Sequence, residues 1–153
     1  MANTYTQIHI QAVFVVKYRA AMITQDFKPD LCKYITGIVQ NQGHKMLAVN
    51  GVEDHIHVFF GYRPSGSLSD LMRDIKSDSS EWINANKLTR FKFRWQEGFG
   101  AFSYCRSEVA TVTNYVRNQE KHHQKVTFRE EYLKFLKDFE VEYDERYIFG
   151  PLI

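Results

Sequence analysis

Asp54-His55-Ile56-His57-Val58-Phe59-Phe60 has the alternation of a half-buried strand. Ile56, Val58 and Phe60 fall on one face, and His55, His57 and Phe59 on the other. Two imidazoles therefore share a face. Some sixty residues later, Tyr115-Val116-Arg117-Asn118-Gln119 sits in a helical pattern that puts Tyr115 and Gln119, at i and i+4, one turn apart on a single side. A helix carrying that pair across the strand would bring a phenol and an amide oxygen to two histidines.

In that arrangement His55, His57 and Gln119 make an N/N/O ligand set for a divalent cation, with Tyr115 beside it. Three protein ligands leave positions for a phosphate oxygen and water, which suits Mg2+ or Mn2+ acting as a Lewis acid on a phosphodiester with tyrosine as nucleophile. The same patterns also serve plain packing: His-x-His occurs on surface strands, and helical tyrosines are commonly core. Context has to decide between the two uses.

His55-Ile56-His57 resembles the HUH motif (His, bulky hydrophobe, His). Tyr115 to Gln119, followed by His122-His123, resembles the tyrosine helix of the single-tyrosine HUH transposases of small bacterial insertion sequences and their REP-associated relatives. Further similarity runs through Lys17-Tyr18-Arg19, Lys76-Ser77 and Trp95-Gln96-Glu97-Gly98-Phe99-Gly100-Ala101-Phe102-Ser103, so that the ordered set spans nearly the whole chain. Tyr104-Cys105 departs from the family pattern, which has a smaller apolar residue and serine there. The resemblance implies a metal-dependent DNA strand transferase with Tyr115 as nucleophile and His55, His57 and Gln119 as ligands. It further implies cleavage of single-stranded DNA near a hairpin, a 5′-phosphotyrosine intermediate, and a homodimer whose tyrosine helix can complete the partner's site.

The 153 residues, 44% hydrophobic and 15% aromatic, suffice for one buried core. No run approaches a membrane span, the N-terminus lacks a signal peptide's pattern, and two cysteines, Cys32 and Cys105, are too few for a disulfide framework. A reducing cytoplasm is expected. The formal charge of +2 is uneven: beyond Lys137 only Arg146 is basic, against Asp138, Glu140, Glu142, Asp144 and Glu145, leaving 19 basic and 13 acidic residues before it. We read residues 1–137 as the catalytic domain and 138–153 as an acidic tail, part of the same domain or a dimer contact. A basic body fits a polyanionic partner.

Alternation over Thr6 to Val16 predicts a first strand with Ile8, Ile10, Ala12, Phe14 and Val16 on one face and His9 and Gln11 on the other. Helical spacing predicts a helix over 29–42, stopped at Gly43. Strands over 44–49 and from His55 follow, joined by a turn beginning at Asn50-Gly51. Ser67 caps a helix with Leu71, Met72, Ile75 and Ile83 inward. Phe91 to Trp95 and Phe99 to Tyr104 read as a hairpin. Ser107 would cap a tyrosine helix running to about Gln124, and Thr127 a last helix with Tyr132, Leu133, Phe135 and Leu136 on its apolar side. Residues 140–149 would add a strand or wrap a partner. The fold class is α+β, an antiparallel sheet with helices packed on it, and the resemblance implies the RRM-like or ferredoxin-like palm of HUH enzymes. Lys17, Arg19, Arg73, Lys76, Lys92 and Arg94 are candidate DNA contacts. His44 reads as structural, and Glu53 and Asp54 as turn residues.

Three other activities fit the same residues. They are a domesticated relative that nicks or binds hairpin DNA without moving an element, a single-stranded nucleic acid binder that has lost catalysis, and a hydrolase using water in place of Tyr115.

Overall fold

A computed structural model of the chain describes residues 4–148. Strand β1, His9–Val15, lies inside a four-stranded antiparallel sheet, paired with β3, His55–Gly61, and with β4, Gly100–Tyr104. Strand β2, Lys45–Val52, forms the far edge and gives the order β2-β3-β1-β4, that of a ferredoxin-like fold. Helices α1, Lys28–Asn41, and α2, Leu68–Ala85, cover one face. Their Leu31, Ile35, Leu71, Met72 and Ile75 pack on Ile10, Phe14, Ile56, Val58 and Phe60, as the alternation predicts.

The opposite face is covered too, by α3, Val109–Arg117, α4, Gln119–His122, and α5, Phe128–Asp138. Val112 and Val116 rest on Ala48 and Phe59, while Phe128, Tyr132 and Leu136 rest on Val13, Val15 and Phe102. Strand β1 is therefore buried along its whole length, and the imidazole face of β3 is interior rather than half-exposed. The buried apolar residues of the tyrosine helix, Val112 and Val116, are thus used on the chain's own sheet.

Two of the three expected serine and threonine caps form. Ser67 Oγ accepts from Asp70 N–H and Thr127 Oγ1 from Glu130 N–H, while Gly43, at φ +89°, ends α1. Several expectations fail for local reasons. Phe91 to Trp95 is not a hairpin strand, because Asn84 at the end of α2 takes both polar backbone groups of Phe93: Oδ1 accepts from its N–H at 2.7 Å, and Nδ2 donates to its carbonyl at 3.0 Å. What pairs is a single bridge from Trp95 to Val16. Asn50 and Gly51 belong to β2, and the turn is Glu53-Asp54; a Cβ on Gly51 would stand 2.2 Å from His55 O, so only glycine lets the strands close there. Ser107 is no cap, since a 3-10 turn at Arg106–Glu108 with Cys105 at its head leads into α3. Residues 140–148 form no strand. A short helix α6, Glu145–Ile148, folds back so that Gln96 Nε2 donates to Ile148 O at 2.8 Å; Phe149 lies outside the described residues.

Candidate functional site

His55 and His57 project from β3 into the layer under α5 with no exposed surface, their ring centres 5.1 Å apart. From α5 comes Glu131, 4% exposed. Its Oε1 lies 3.0 Å from His57 Nε2, 3.2 Å from His123 Nε2 and 3.4 Å from His55 Nε2. Ligand-capable atoms of these four residues all fall within 4.8 Å of one another.

The far nitrogen of each ring is fixed by an oxygen. Asp54 Oδ1 lies 2.7 Å from His55 Nδ1, Gln11 Oε1 2.7 Å from His57 Nδ1, and Val126 O 2.8 Å from His123 Nδ1. A carboxylate, an amide oxygen and a carbonyl only accept, so each Nδ1 carries the proton and each Nε2 faces the centre. Gln11 is itself oriented, its Nε2 donating to Tyr104 Oη at 2.9 Å. Burial holds the Tyr104 phenol up at about 12, so it stays a hydroxyl.

Tyr115 and Gln119 arrive on the same carboxylate. The Tyr115 hydroxyl donates to Glu131 Oε2, and Gln119 Nε2 donates to that oxygen at 3.2 Å. Gln119 Oε1 lies 3.0 Å from His123 Nε2. The helix expected to run unbroken is interrupted at Asn118, where Asn50 Nδ2 donates to Arg117 O at 2.9 Å. Lys28 ties α4 down by donating to Gly51 O at 3.0 Å and pairing with Glu120. A cleft of about 490 Å3 opens between α3 and α5 onto Tyr115, His122 and Glu131.

The electrostatics follow from burial and that one carboxylate. Burial alone would raise the pKa of Glu131, but the surrounding imidazoles of His123, His55 and His57 outweigh it and keep the carboxylate ionised. Burial, then the charge of Glu131, pushes the Tyr115 phenol far above the ordinary tyrosine range. His57 is lowered by burial, whereas the carboxylates of Asp54 and Glu131 overcome burial at His55 and raise it. The donor set of imidazole nitrogens, carboxylate and amide oxygen fits a divalent cation, and the oriented rings are what such a site requires.

Sequence reasoning reached His55, His57, Tyr115 and Gln119, and the fold brings them together. His123, part of the resemblance but given no role there, serves the helix end and the centre, one nitrogen on Val126 and the other at the centre. Asp54 is a turn residue that also orients His55. Glu131 was missed, although a signal existed: Phe128, Glu131, Tyr132, Phe135 and Leu136 occupy one helical stripe, and a carboxylate at a core position calls for a partner. His44 is structural as expected, accepting from Arg63 N–H at 2.9 Å and stacking on Tyr62.

The six candidate DNA contacts gather at the far side of the sheet in two adjoining grooves. One holds Lys17, Arg73, Lys76, Lys92 and Arg94, the other Lys17, Arg19, Lys92 and Arg94. Tyr18 and Arg19 are in left-handed backbone, at φ 62° and 53°. Lys76 is committed elsewhere: its Nζ donates to Gln96 O at 2.8 Å and Gly98 O at 2.7 Å. Arg73 pairs with Asp70 and Asp74. Of the aromatic residues beside Lys92 and Arg94, Phe93 and Trp95 are core and Phe91 is 70% exposed.

Residues 4–119 match the family described as transposase, IS200 like. Among solved structures, a candidate transposase of Deinococcus radiodurans R1 is similar at a TM-score of 0.63 and 16% identity, covering 76% of this chain and 94% of that one. A REP-associated tyrosine transposase bound to a REP hairpin is similar at 0.61 and 14% identity, covering 99% of this chain and 96% of that one. At such identities these structures speak for the fold. No curated protein matches the chain, and no helix among the described residues is long and apolar enough to cross a membrane.

Proposed function

The chain belongs to the family of IS200-like transposases, and from that premise we propose that it cuts and rejoins single-stranded DNA through a 5′-phosphotyrosine bond to Tyr115, at sites marked by hairpins. The observation that carries this reading is the meeting of the Tyr115 hydroxyl and the Nε2 atoms of His55 and His57 on one buried carboxylate of the same chain. His55 and His57, with the Gln119 amide oxygen, would hold a divalent cation, Mg2+ or Mn2+, which would supply Lewis-acid stabilisation of charge on the scissile phosphate.

The chain's own groups do the rest. Tyr115 Oη forms the new P–O bond as the bond to the 3′ oxygen breaks. The phenolic proton passes to Glu131 Oε2, which already accepts it in a hydrogen bond, and the leaving 3′ oxygen takes up a proton in turn. Because the phenol is held far above the ordinary tyrosine range, it stays protonated until substrate arrives. Energy of the broken strand is kept in the phosphotyrosine bond, so rejoining needs no nucleotide. Lys17, Arg19, Lys92 and Arg94 track the DNA backbone, with Arg73 and Lys76 at the groove wall. The working unit is a homodimer, which light scattering tests.

The experiment is a denaturing gel of protein with labelled single-stranded hairpin DNA and Mg2+ or Mn2+, beside Tyr115→Phe and a chelated control. A covalent band that requires both Tyr115 and the cation is expected. Cleavage that persists in Tyr115→Phe without such a band would replace this reading with a hydrolase, and binding without either product would replace it with an inactive binder.

A further inference from the structure

The ligand set proposed above does not use two of the groups that crowd it most closely. Each of the three buried or half-buried imidazoles has an oxygen acceptor at both ring nitrogens: Asp54, Gln11 and Val126 on the outer side, and Glu131 Oε1 on the inner side for all three. With the outer nitrogens protonated, three Nε2 lone pairs converge on a largely buried carboxylate oxygen at the floor of the cleft. Such a cluster is mutually repulsive unless a positive charge sits among its atoms. His55 Nε2 in particular is buried, aimed at the centre and without a hydrogen bond.

The distances from Glu131 Oε1 to the three rings are compatible with atoms sharing one ion. Bonds of about 2.1 Å from a cation to nitrogen and oxygen donors place neighbouring donors roughly 3.0 Å apart at right angles and roughly 3.4 Å apart at tetrahedral angles. Glu131 Oε1 stands 3.0, 3.2 and 3.4 Å from the three Nε2 atoms, and Gln119 Oε1 stands 3.0 Å from His123 Nε2.

We propose that His123 and Glu131 are ligands alongside His55 and His57, so that one chain alone builds a three-histidine, one-carboxylate cation site with Gln119 at its edge. The inference rests on the reading of His55 and His57 as cation ligands. Nitrogen-rich donors of this kind select Mn2+ or Zn2+ over Mg2+, which prefers oxygen and keeps its water. Glu131 then joins the two halves of the centre, with Oε1 on the cation and Oε2 on the Tyr115 hydroxyl.

Chelator-stripped full-length protein is titrated calorimetrically with Mn2+, Zn2+ and Mg2+, as wild type, His123→Ala and Glu131→Gln. One high-affinity site is expected. Mg2+ should bind on the order of 100-fold more weakly than Zn2+, and each variant should lose at least about tenfold in Mn2+ affinity. Melting curves identify a variant that fails to fold. Wild-type protein then decides by itself: Zn2+ should shift the imidazole 15N resonances of His55, His57 and His123 together and spare His9 and His44. Unchanged Mn2+ affinity in both folded variants, or Zn2+ shifts confined to His55 and His57, would overturn the assignment. None of these readouts involves DNA. A covalent DNA band beside unchanged cation affinities removes the inference and keeps the proposed function; affinity lost in the variants, with no covalent band in wild type, does the reverse.

Discussion

The two regions that gather chemistry in this transposase lie on opposite sides of one sheet and are built by different rules. Under α5, the outer nitrogen of each imidazole is held by another group: Tyr104 holds Gln11, Gln11 holds His57, Asp54 holds His55, and Val126 holds His123. In the grooves beside α2, three of the six cations, Arg73, Lys92 and Arg94, are exposed, and two of the six are occupied within the chain, Lys76 on loop carbonyls and Arg73 on Asp70 and Asp74. The first region has fixed its geometry at the cost of burying a charge; the second has kept its charges at or near the surface. A reacting centre needs donors held to within a fraction of an ångström, whereas a polyanion groove needs only charge density that can follow a flexible backbone.

The sharpest break is at the carboxylate. Glu131→Ala leaves three convergent imidazoles without their anion and should cost about 3–5 kcal/mol, read as a fall in melting temperature on the order of 10 °C. Its pH dependence has a definite sign. The folded-state pKa of Glu131 lies below the ordinary value of 4.5, so its contribution is present above about pH 4.5 and is lost as the unfolded chain takes up the proton at lower pH. Stability of the wild type should therefore decline as pH falls below that value, and Glu131→Gln should flatten the decline. An unchanged acid limb in the variant would mean that the cluster is not the charged unit described here.

Next in size is a change that leaves every ligand in place. Gln11→Leu keeps the volume of a buried strand residue but removes the acceptor of the His57 Nδ1 proton. Cation affinity should fall about 10–100-fold with the sheet intact by circular dichroism. Equal affinity would show that packing, not that hydrogen bond, orients the ring.

What could be read in the chain follows the same division. The alternations of β1 and β3, the stripe of α2 and the caps at Ser67 and Thr127 are local signals, and the structure keeps them. The tyrosine, the two strand histidines and Gln119 were legible because their spacing is short and resembles a family pattern. Glu131 was missed although its place on the apolar stripe of α5 marked it, because it lies on a different helix from Tyr115 and its partners come from elsewhere in the chain. The failed hairpin at Phe91 to Trp95 has the same origin: its alternation is real, but Asn84 reaches Phe93 from another element and takes the groups a strand would have used. Lys76, grouped with the DNA contacts, is half-buried, and burial pulls its pKa below the ordinary lysine value.

Lys76→Met tests whether that lysine belongs with the centre or with the groove. It removes two charge-assisted bonds to Gln96 O and Gly98 O while keeping the apolar stem. A loss of about 1.5–3 kcal/mol is expected, in melts without DNA. A variant that melts like wild type but binds DNA less well would return Lys76 to the phosphate contacts.

The smallest effect separates the two regions most cleanly. Lys92 and Arg94 are exposed, and Lys92, Arg94 and Lys17 line both grooves. If they meet DNA phosphates, Lys92→Ala and Arg94→Ala should each change stability by less than about 0.5 kcal/mol. Each should also lower the slope of log affinity against log salt by about 0.7 on single-stranded DNA. The slope is the decisive quantity, because a misfolded or misplaced groove lowers affinity without removing one released counterion per residue. Cation affinity should not move in either variant, since no atom of these side chains approaches the imidazoles. A salt slope equal to that of wild type would locate the DNA path elsewhere, and the cleft bounded by Tyr115, His122, Lys134 and Phe135 would become the surface to test.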